Sequence, residues 1–358
     1  MHDFAVVVGA LLAALFLWDA FQTIILSRRV ARRLRPTRAL YRLLFNPLRV
    51  ATRALPEGPW KENILTVFGP LVLLLLIAFW AVGLVFAFGV LHWGLGSHMQ
   101  DASGASGFGV DLYVSGTTFF TLGLGDVTPH TALARVLTVV ESGLGFAFLA
   151  LVIGYVPLIS QAYSRREVSI SMLDARAGSP PTAGRLLGRH FHDGGEDLRE
   201  LLRDWEGWSA ELLESHVSFP ALSFFRSQHY GQSWIAALTT ILDVCAFVIA
   251  RIEHNSETTA RLTFSMARHA VVDLCSVLQL EPQSPSVDRL DAKDERRLAD
   301  LLATQGVDIR LGEPAGAKLR ALRAQYEPYV EALSSFLLMP LPEWLPPAHE
   351  SEAWHRIA

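Results

Sequence analysis

Apolar residues are gathered into three long runs before residue 164, and beyond it they recur at the spacing of amphipathic helices. The first run, residues 4–27, contains a single charged side chain, Asp19. The second, 64–95, sits inside a stretch, 63–100, without any Asp, Glu, Lys or Arg. The third, 133–163, is interrupted only by Arg135 and Glu141. Each exceeds the roughly 20 apolar residues that a helix needs to cross a bilayer core, so three membrane spans are predicted. At 1.5 Å per residue the third approaches about 45 Å, which requires it to tilt or to project beyond the bilayer. The basic flank of the first run follows the apolar stretch and no small-residue cleavage site closes it, which predicts a retained helix rather than a signal peptide.

After a Pro/Gly-rich stretch at 177–184, periodicity predicts helices at 197–216, 220–226, 232–254, 257–280, 291–305 and 315–339, separated by Pro, Gly and Ser. No strand-like alternation interrupts them. No Gly-x-Gly-x-x-Gly follows a strand, which argues against a Rossmann nucleotide-binding regulator, and the β-roll pattern of a cyclic-nucleotide module is missing. Residues 234–250 are apolar enough to raise a fourth span, but Asp243 and the short length predict a buried core helix. The Pro-rich ending, with Pro340, Pro342, Pro346 and Pro347, predicts an extended tail.

Composition agrees with this division: 51% apolar and 18% charged residues suit a membrane half joined to a soluble half. The net charge of −4 decides nothing about partners. Cys245 and Cys275 both fall in helical patterns of the soluble half, which suits a reducing cytosol. Basic residues are nearly all arginine, with lysine only at Lys61, Lys293 and Lys318, a usage that points to a G+C-rich bacterial genome. Between the first two runs lie Arg28, Arg29, Arg32, Arg33, Arg35, Arg38, Arg42, Arg49 and Arg53, whereas 96–111 carries neither Lys nor Arg. The connector is therefore cytoplasmic and the N-terminus outside. Arg165 and Arg166 place the C-terminal half in the cytoplasm as well.

Arg29, Arg32, Arg35 and Arg38 recur every third residue, as in a voltage-sensing helix. Pro36 interrupts the series and too few apolar residues surround it, so a basic amphipathic helix on anionic headgroups is the better reading. Asp19, a carboxylate inside a span, is either a functional group or the partner of a connector arginine near the inner face, and the pairing is the better reading.

Between the second and third runs, residues 110–120 are too few to cross a bilayer but enough for a half-depth helix, whose C-terminal partial negative charge favours a cation. Gly104, Gly107 and Gly109 precede it as an outer turret. Thr121, Leu122, Gly123, Leu124, Gly125 and Asp126 follow it. In this Thr-x-Gly-x-Gly run, glycine tolerates the positive φ needed at alternate residues to aim successive carbonyls at one axis. Four such loops would replace a cation's hydration shell, provided that the irregular backbone is enclosed by protein. Asp126 at the outer mouth would concentrate cations or brace the loop.

Span, short helix, Thr-x-Gly-x-Gly-Asp, Pro129 and second span together resemble the pore domain of potassium channels, over about residues 64–163. The resemblance implies that the carbonyls of Thr121, Leu122, Gly123 and Leu124 bind K⁺, that the Thr121 hydroxyl serves the innermost site, and that Gly125 and Asp126 complete the outer turn. It also aligns Arg135 with an arginine near the start of the inner helix and Gly145 with a hinge glycine. The aromatic residue common in such filters is Leu124 here, as in some second pore segments of two-pore potassium channels, so a hydroxyl brace from that position is missing. A looser filter passing Na⁺ beside K⁺ is one competing reading. A membrane-anchored scaffold or sensor that keeps the pore fold without conducting is another.

An unpaired carboxylate at the depth of Glu141 is costly, so it must face protein or water. It is either a cation-attracting group in the cavity or behind the filter, bonded to Ser115, Thr117 or Thr118, or a protonated or bonded packing residue. Gly143, Gly145, Gly154 and Pro157 are candidate bending points of the inner helix. His190, His192 and Asp193 are a weak metal-ligand cluster, better read as a solvated loop. His229, His254 and His269 stand alone, and Trp205, Trp208 and Trp234 suit core positions. No catalytic constellation is present.

The expectation is an all-α membrane protein: an N-terminal transmembrane helix and basic connector (1–62), a potassium-channel-like pore domain (63–165), a linker (166–184) and a cytoplasmic helical domain with a Pro-rich tail (185–358). With one loop per chain and no second copy, the simplest assembly is a homotetramer in the inner (plasma) membrane. Its expected partners are potassium ions, the lipid bilayer and itself, with no nucleic acid and no cofactor beyond K⁺ as the permeant ion. No motif names a ligand for the helical half.

Overall fold

A computed structural model describes residues 2–24, 36–56, 58–97, 99–101, 106–191, 195–229, 231–252, 256–304, 306–310 and 312–345. Two compact units divide the chain: Met1–Pro56 with Pro70–Gln161, and Glu57–Gly69 with Ala162–Ala358. The described elements are almost entirely helical, and four helices are long and apolar enough to cross a membrane.

The first unit holds α1 (His2–Ile24), α2 (Pro36–Arg53) and most of α3 (Pro59–Gly94). It continues with β1 (Met99–Asp101), α4 (Phe108–Phe119), β2 (Val127–Pro129) and the first part of α5 (Ala132–Ala177). Helix α1 buries Ala5, Gly9 and Ala13 on one face and exposes Phe4, Val7, Leu11, Leu15 and Trp18 on the other. The small face lets α3 approach closely. A Cβ on Gly9 would lie 2.9 Å from the Leu91 backbone nitrogen, and one on Gly94 2.7 Å from that of Val6. Such contacts matter because lipid supplies no hydrophobic drive between helices, leaving close packing to hold them together. Helix α3 is the hub of this unit: Leu91 and Phe88 pack with Ala13, Leu76 and Trp80 with Ala20, and Leu84 with Phe119 of α4.

One oxygen of Asp19 docks α2 and meets α3. Its Oδ2 accepts from the Thr37 backbone N–H (3.2 Å), from the Thr37 hydroxyl and from the Trp80 indole N–H (2.9 Å). Thr37 lies in the first turn of α2, so the carboxylate sits where a helix N-terminus attracts negative charge. Thr37 and Trp80 are its described partners, and the anticipated pairing with a connector arginine falls on side chains outside those described. Arg28, Arg29, Arg32, Arg33 and Arg35 lie outside the described residues. Replacing Asp19 by alanine removes the acceptor of three donors and is expected to cost about 1–3 kcal/mol, read as a lower thermal midpoint of the purified protein.

Helix α5 runs unbroken to Ala177, so residues 166–177, read from the sequence as the beginning of a linker, are helical. In the second unit α6 (Ala183–His190) follows after a few residues, capped by Thr182, whose side chain accepts from the Arg185 N–H. That helix is not anticipated from periodicity because it is only two turns long. Next come α7 (Glu196–Ser218), a 3-10 turn at Pro220–Phe224 where an α-helix was predicted, α8 (Trp234–Arg251), α9 (Glu257–Leu278) and α10 (Ala292–Thr304). The predicted 315–339 helix is two: α11 (Glu313–Arg323) and α12 (Glu327–Leu337). Pro328 lies in the first turn of α12, where its missing N–H costs no hydrogen bond.

Every residue of α8 from Trp234 to Ala250 is buried, and α8 packs against α6, α9, α11 and α12, as a core helix does. Asp243 at its centre takes a bidentate bond from Arg289 (2.8 and 2.9 Å) and one from the Tyr326 hydroxyl. Trp344 and Leu345 are also buried, and the Trp344 carbonyl accepts from Gly184 N (2.8 Å). The Pro-rich ending is therefore packed as far as 345, and Pro346 and Pro347 lie outside the described residues.

Two buried arginines fasten the first turns of α3 and the last turns of α5 within this unit. Arg226 forks onto Glu62 (2.8 and 3.0 Å) and donates to the carbonyl of Leu337. Arg166 donates to Glu167 (3.0 Å), His216 Nε2 (3.2 Å) and the carbonyls of Leu222 and Phe225. Burial, and next the neighbouring Arg166, push His216 well below the ordinary histidine range. It is neutral and can accept from the guanidinium.

Candidate ion-conducting site

Helix α4 buries Val114 and Phe119 and ends at Phe120, where the chain turns into the 121–126 loop. The amides of Phe120, Thr121 and Leu122 donate back to Gly116, Thr118 and Thr117 carbonyls at 3.0, 3.0 and 2.7 Å, and Gly123 N reaches Thr117 O at 3.4 Å. Loop position is thereby set by the helix. Among the described residues no hydrogen bond ends on the carbonyls of Thr121, Leu122, Gly123, Leu124 or Gly125.

Positive φ recurs at alternate positions: 58° at Thr121, 56° at Gly123 and 77° at Gly125. Leu122 and Leu124 between them have negative φ. Alternation of hand turns successive peptide planes the same way. Glycine adopts the left-handed region freely, whereas Thr121 pays about 1 kcal/mol there, strain that persists only where surrounding structure enforces it. Within one chain Leu122 is 62% and Leu124 64% exposed.

Asp126 accepts from the Tyr113 hydroxyl of α4 at 2.8 Å. A hydroxyl brace is thus present, supplied by the short helix rather than by position 124. Behind the loop, β1 and β2 pair antiparallel with Gln100 opposite Thr128, and Arg135 Nε donates to the Pro129 carbonyl (3.2 Å). Gly104 of the anticipated turret lies outside the described residues, while Gly107 precedes α4 with φ 122°.

Glu141 is fully buried and does not face an open cavity in its own chain. It meets Ser115 of α4 through Oε1 and His92 Nε2 of α3 through Oε2 at 3.3 Å, and His92 Nδ1 meets the Ser97 hydroxyl at 3.2 Å. Of the three partners anticipated, Ser115 is the one used; Thr117 instead donates to the Val114 carbonyl (3.0 Å). His92 and Tyr113 escaped the sequence reading. The available signal for His92 was that no other titratable side chain occurs between residues 63 and 97.

Gly145 abuts α4: a Cβ there would fall 2.0 Å from the Phe119 carbonyl oxygen. Gly143 and Gly154 have nothing within 4 Å of a built Cβ, and α5 is helical through all three glycines and Pro157. Gly145 therefore provides clearance for the Phe119 carbonyl in this structure. His192, Asp193 and His254 lie outside the described residues.

Residues 71–157 match a family model described as ion channel. The uncharacterized membrane protein YdjJ of Bacillus subtilis strain 168 is 27% identical over 204 residues, an alignment covering 53% of this chain and 58% of that protein. The chain thus spans less than two thirds of that relative's length. No solved structure matches. Taken with the span, short helix, loop and span at the same positions, the match identifies the 71–157 segment as a pore-loop ion-channel domain, within an all-α membrane protein.

Proposed function

We propose that the protein is a potassium-selective channel, passing K⁺ passively through a homotetrameric pore lined by the Thr121, Leu122, Gly123 and Leu124 carbonyls. The observation that carries this reading is the alternation of φ at 121, 123 and 125 beside carbonyls that no described group engages. Four such strands give a ring of oxygens at each level, able to stand in for water around a dehydrated cation. Neighbouring copies would cover Leu122 and Leu124, whose exposure in one chain is otherwise unfavourable. Asp126 contributes negative charge at the outer mouth while Tyr113 fixes its position. In this reading the N-terminus is outside, the helical domain lies in the cytoplasm of a bacterial inner-membrane protein, and the chain is not an enzyme.

Potassium flux into proteoliposomes tests it. Alanine at a positive φ costs about 1 kcal/mol or more, and a tetramer bears that cost four times, so Gly123→Ala is expected to lower flux at least tenfold. A reversal potential unmoved by exchanging K⁺ for Na⁺ would assign a nonselective cation pore. Wild-type vesicles without flux would assign the scaffold reading.

A further inference from the structure

We infer that Ser97, His92, Glu141 and Ser115 form an uncharged proton-ordered relay that positions the pore helix α4, and with it the 121–126 loop, against both flanking spans. The function of the relay rests on the channel reading above; its existence does not. All four side chains are buried, and they join three elements that are distant in sequence: α3 with its C-terminal turn, α5 and α4.

Counting hydrogens orders the chain. Ser115 Oγ is within bonding reach of both the Val85 carbonyl (2.7 Å) and Glu141 Oε1. A carbonyl has no hydrogen and a hydroxyl has one, so filling both contacts requires Glu141 to supply the second from Oε1. Oε2 is then a carbonyl oxygen, an acceptor, and His92 must donate to it from Nε2. His92 Nδ1 is left as the acceptor of the Ser97 hydroxyl. Donation runs one way from Ser97 through His92, Glu141 and Ser115 to the Val85 carbonyl. Every participant is satisfied without a net charge at membrane depth, where an uncompensated charge is strongly disfavoured.

The relay acts on the pore because α4 is short and the loop hangs from its end. Ser115 is one turn before the Phe119 carbonyl that abuts Gly145, and the loop amides are tied to the carbonyls of 116–118. Loss of the relay removes the directed hydrogen bonds that join α4 to α5, and the packing contacts left behind are more tolerant of small shifts. Glu141, His92, Ser97 and Ser115 are positioning residues: none of them touches the ion path within the chain.

Two measurements test this. Infrared spectra of the purified protein in lipid at neutral pH should contain a carboxylic-acid C=O band that disappears in Glu141→Gln and shifts in Ser115→Ala. Asp111, the carboxyl of α4 itself, contributes alike to both spectra. Identical wild-type and Glu141→Gln spectra in this region overturn the relay, whether or not the protein conducts. Glutamine reproduces the relay, its amide donating to Ser115 and its carbonyl accepting from His92, so Glu141→Gln should hold the K⁺/Na⁺ permeability ratio within about twofold of wild type. Glu141→Ala and Ser115→Ala leave a buried partner unsatisfied and should lower that ratio at least about fivefold. A wild-type ratio in Glu141→Ala rejects the positioning role, and a loss in Glu141→Gln equal to that in Glu141→Ala rejects the uncharged ordering. Wild-type protein that shows the band but no flux would fail the channel reading and leave the relay standing.

Discussion

Gly145→Ala is expected to cut K⁺ flux about ten- to a hundredfold, the range that corresponds to forcing an extra methyl into a well-packed contact. The methyl would sit 2.0 Å from the Phe119 carbonyl oxygen, far inside contact distance, and the atom it meets is backbone rather than a pliable side chain. Relief therefore requires α5 and α4 to separate. Because the amides of 120–123 hang from the last turn of α4, any such movement is delivered to the loop that carries the alternating φ. Gly143→Ala is the control, since its methyl meets nothing within 4 Å in its own chain. Proteoliposome flux reads both variants, and wild-type flux from Gly145→Ala would refute the account of this contact.

The second large effect lies in the helical unit. Arg289→Met is expected to destabilise that unit by about 3–5 kcal/mol, because it strands Asp243 as an unpaired charge in the core. Asp243 is completely buried at the centre of α8 and receives both guanidinium nitrogens of Arg289 together with the Tyr326 hydroxyl. Arg289 also reaches Glu327 (3.3 Å), which in turn accepts from Arg323 (2.9 Å), and Arg323 pairs with Asp288. Burial by itself would lower the Arg289 guanidinium, but Asp243, Tyr326 and Glu327 outweigh it and the net shift is upward. The arginine stays charged throughout the accessible pH range. Thermal unfolding of the full-length protein should show the helical unit melting earlier in Arg289→Met. The double variant Asp243→Leu/Arg289→Met should regain much of the loss, since removing both charges removes the uncompensated burial. A single variant as stable as wild type would show that the pair is not buried as described.

The helix inventory was legible wherever a long, uniform run carried it. Residues 63–100 are free of formal charge, and α3 occupies most of that stretch. Helices α7 and α9 fall within two residues of their predicted limits because their apolar periodicity is regular from end to end. Boundaries failed where the determinant was not local. The break between α11 and α12 lies at Tyr326, whose ring is buried to reach Asp243, 83 residues earlier in the chain. Helix α6 is too short to display a period, and the polar residues 164–167 that close the apolar run end the lipid-suited stretch without ending α5.

Within the pore segment, the loop was readable because its chemistry is backbone chemistry. Gly123 and Gly125 announce positive φ directly, and the charge-free flanks announce the depth at which the loop must sit. Glu141 announced only that it needed a partner. That the partners are Ser115, 26 residues away, and His92, 49 away, depends on how three helices cross. Tyr113 bracing Asp126 and Gly145 clearing Phe119 belong to the same class.

By itself, then, the amino-acid order determined which segments are helical, which of them suit lipid, and where glycine permits an irregular strand of carbonyls, because propensity, hydrophobic period and φ preference are properties of neighbouring residues. Tertiary structure alone decided which side chain meets which across helices: Asp19 on Thr37 and Trp80, Glu141 between His92 and Ser115, Asp243 beneath Arg289. Those pairings depend on crossing geometry and exclusion of water, which arise only once distant segments have packed.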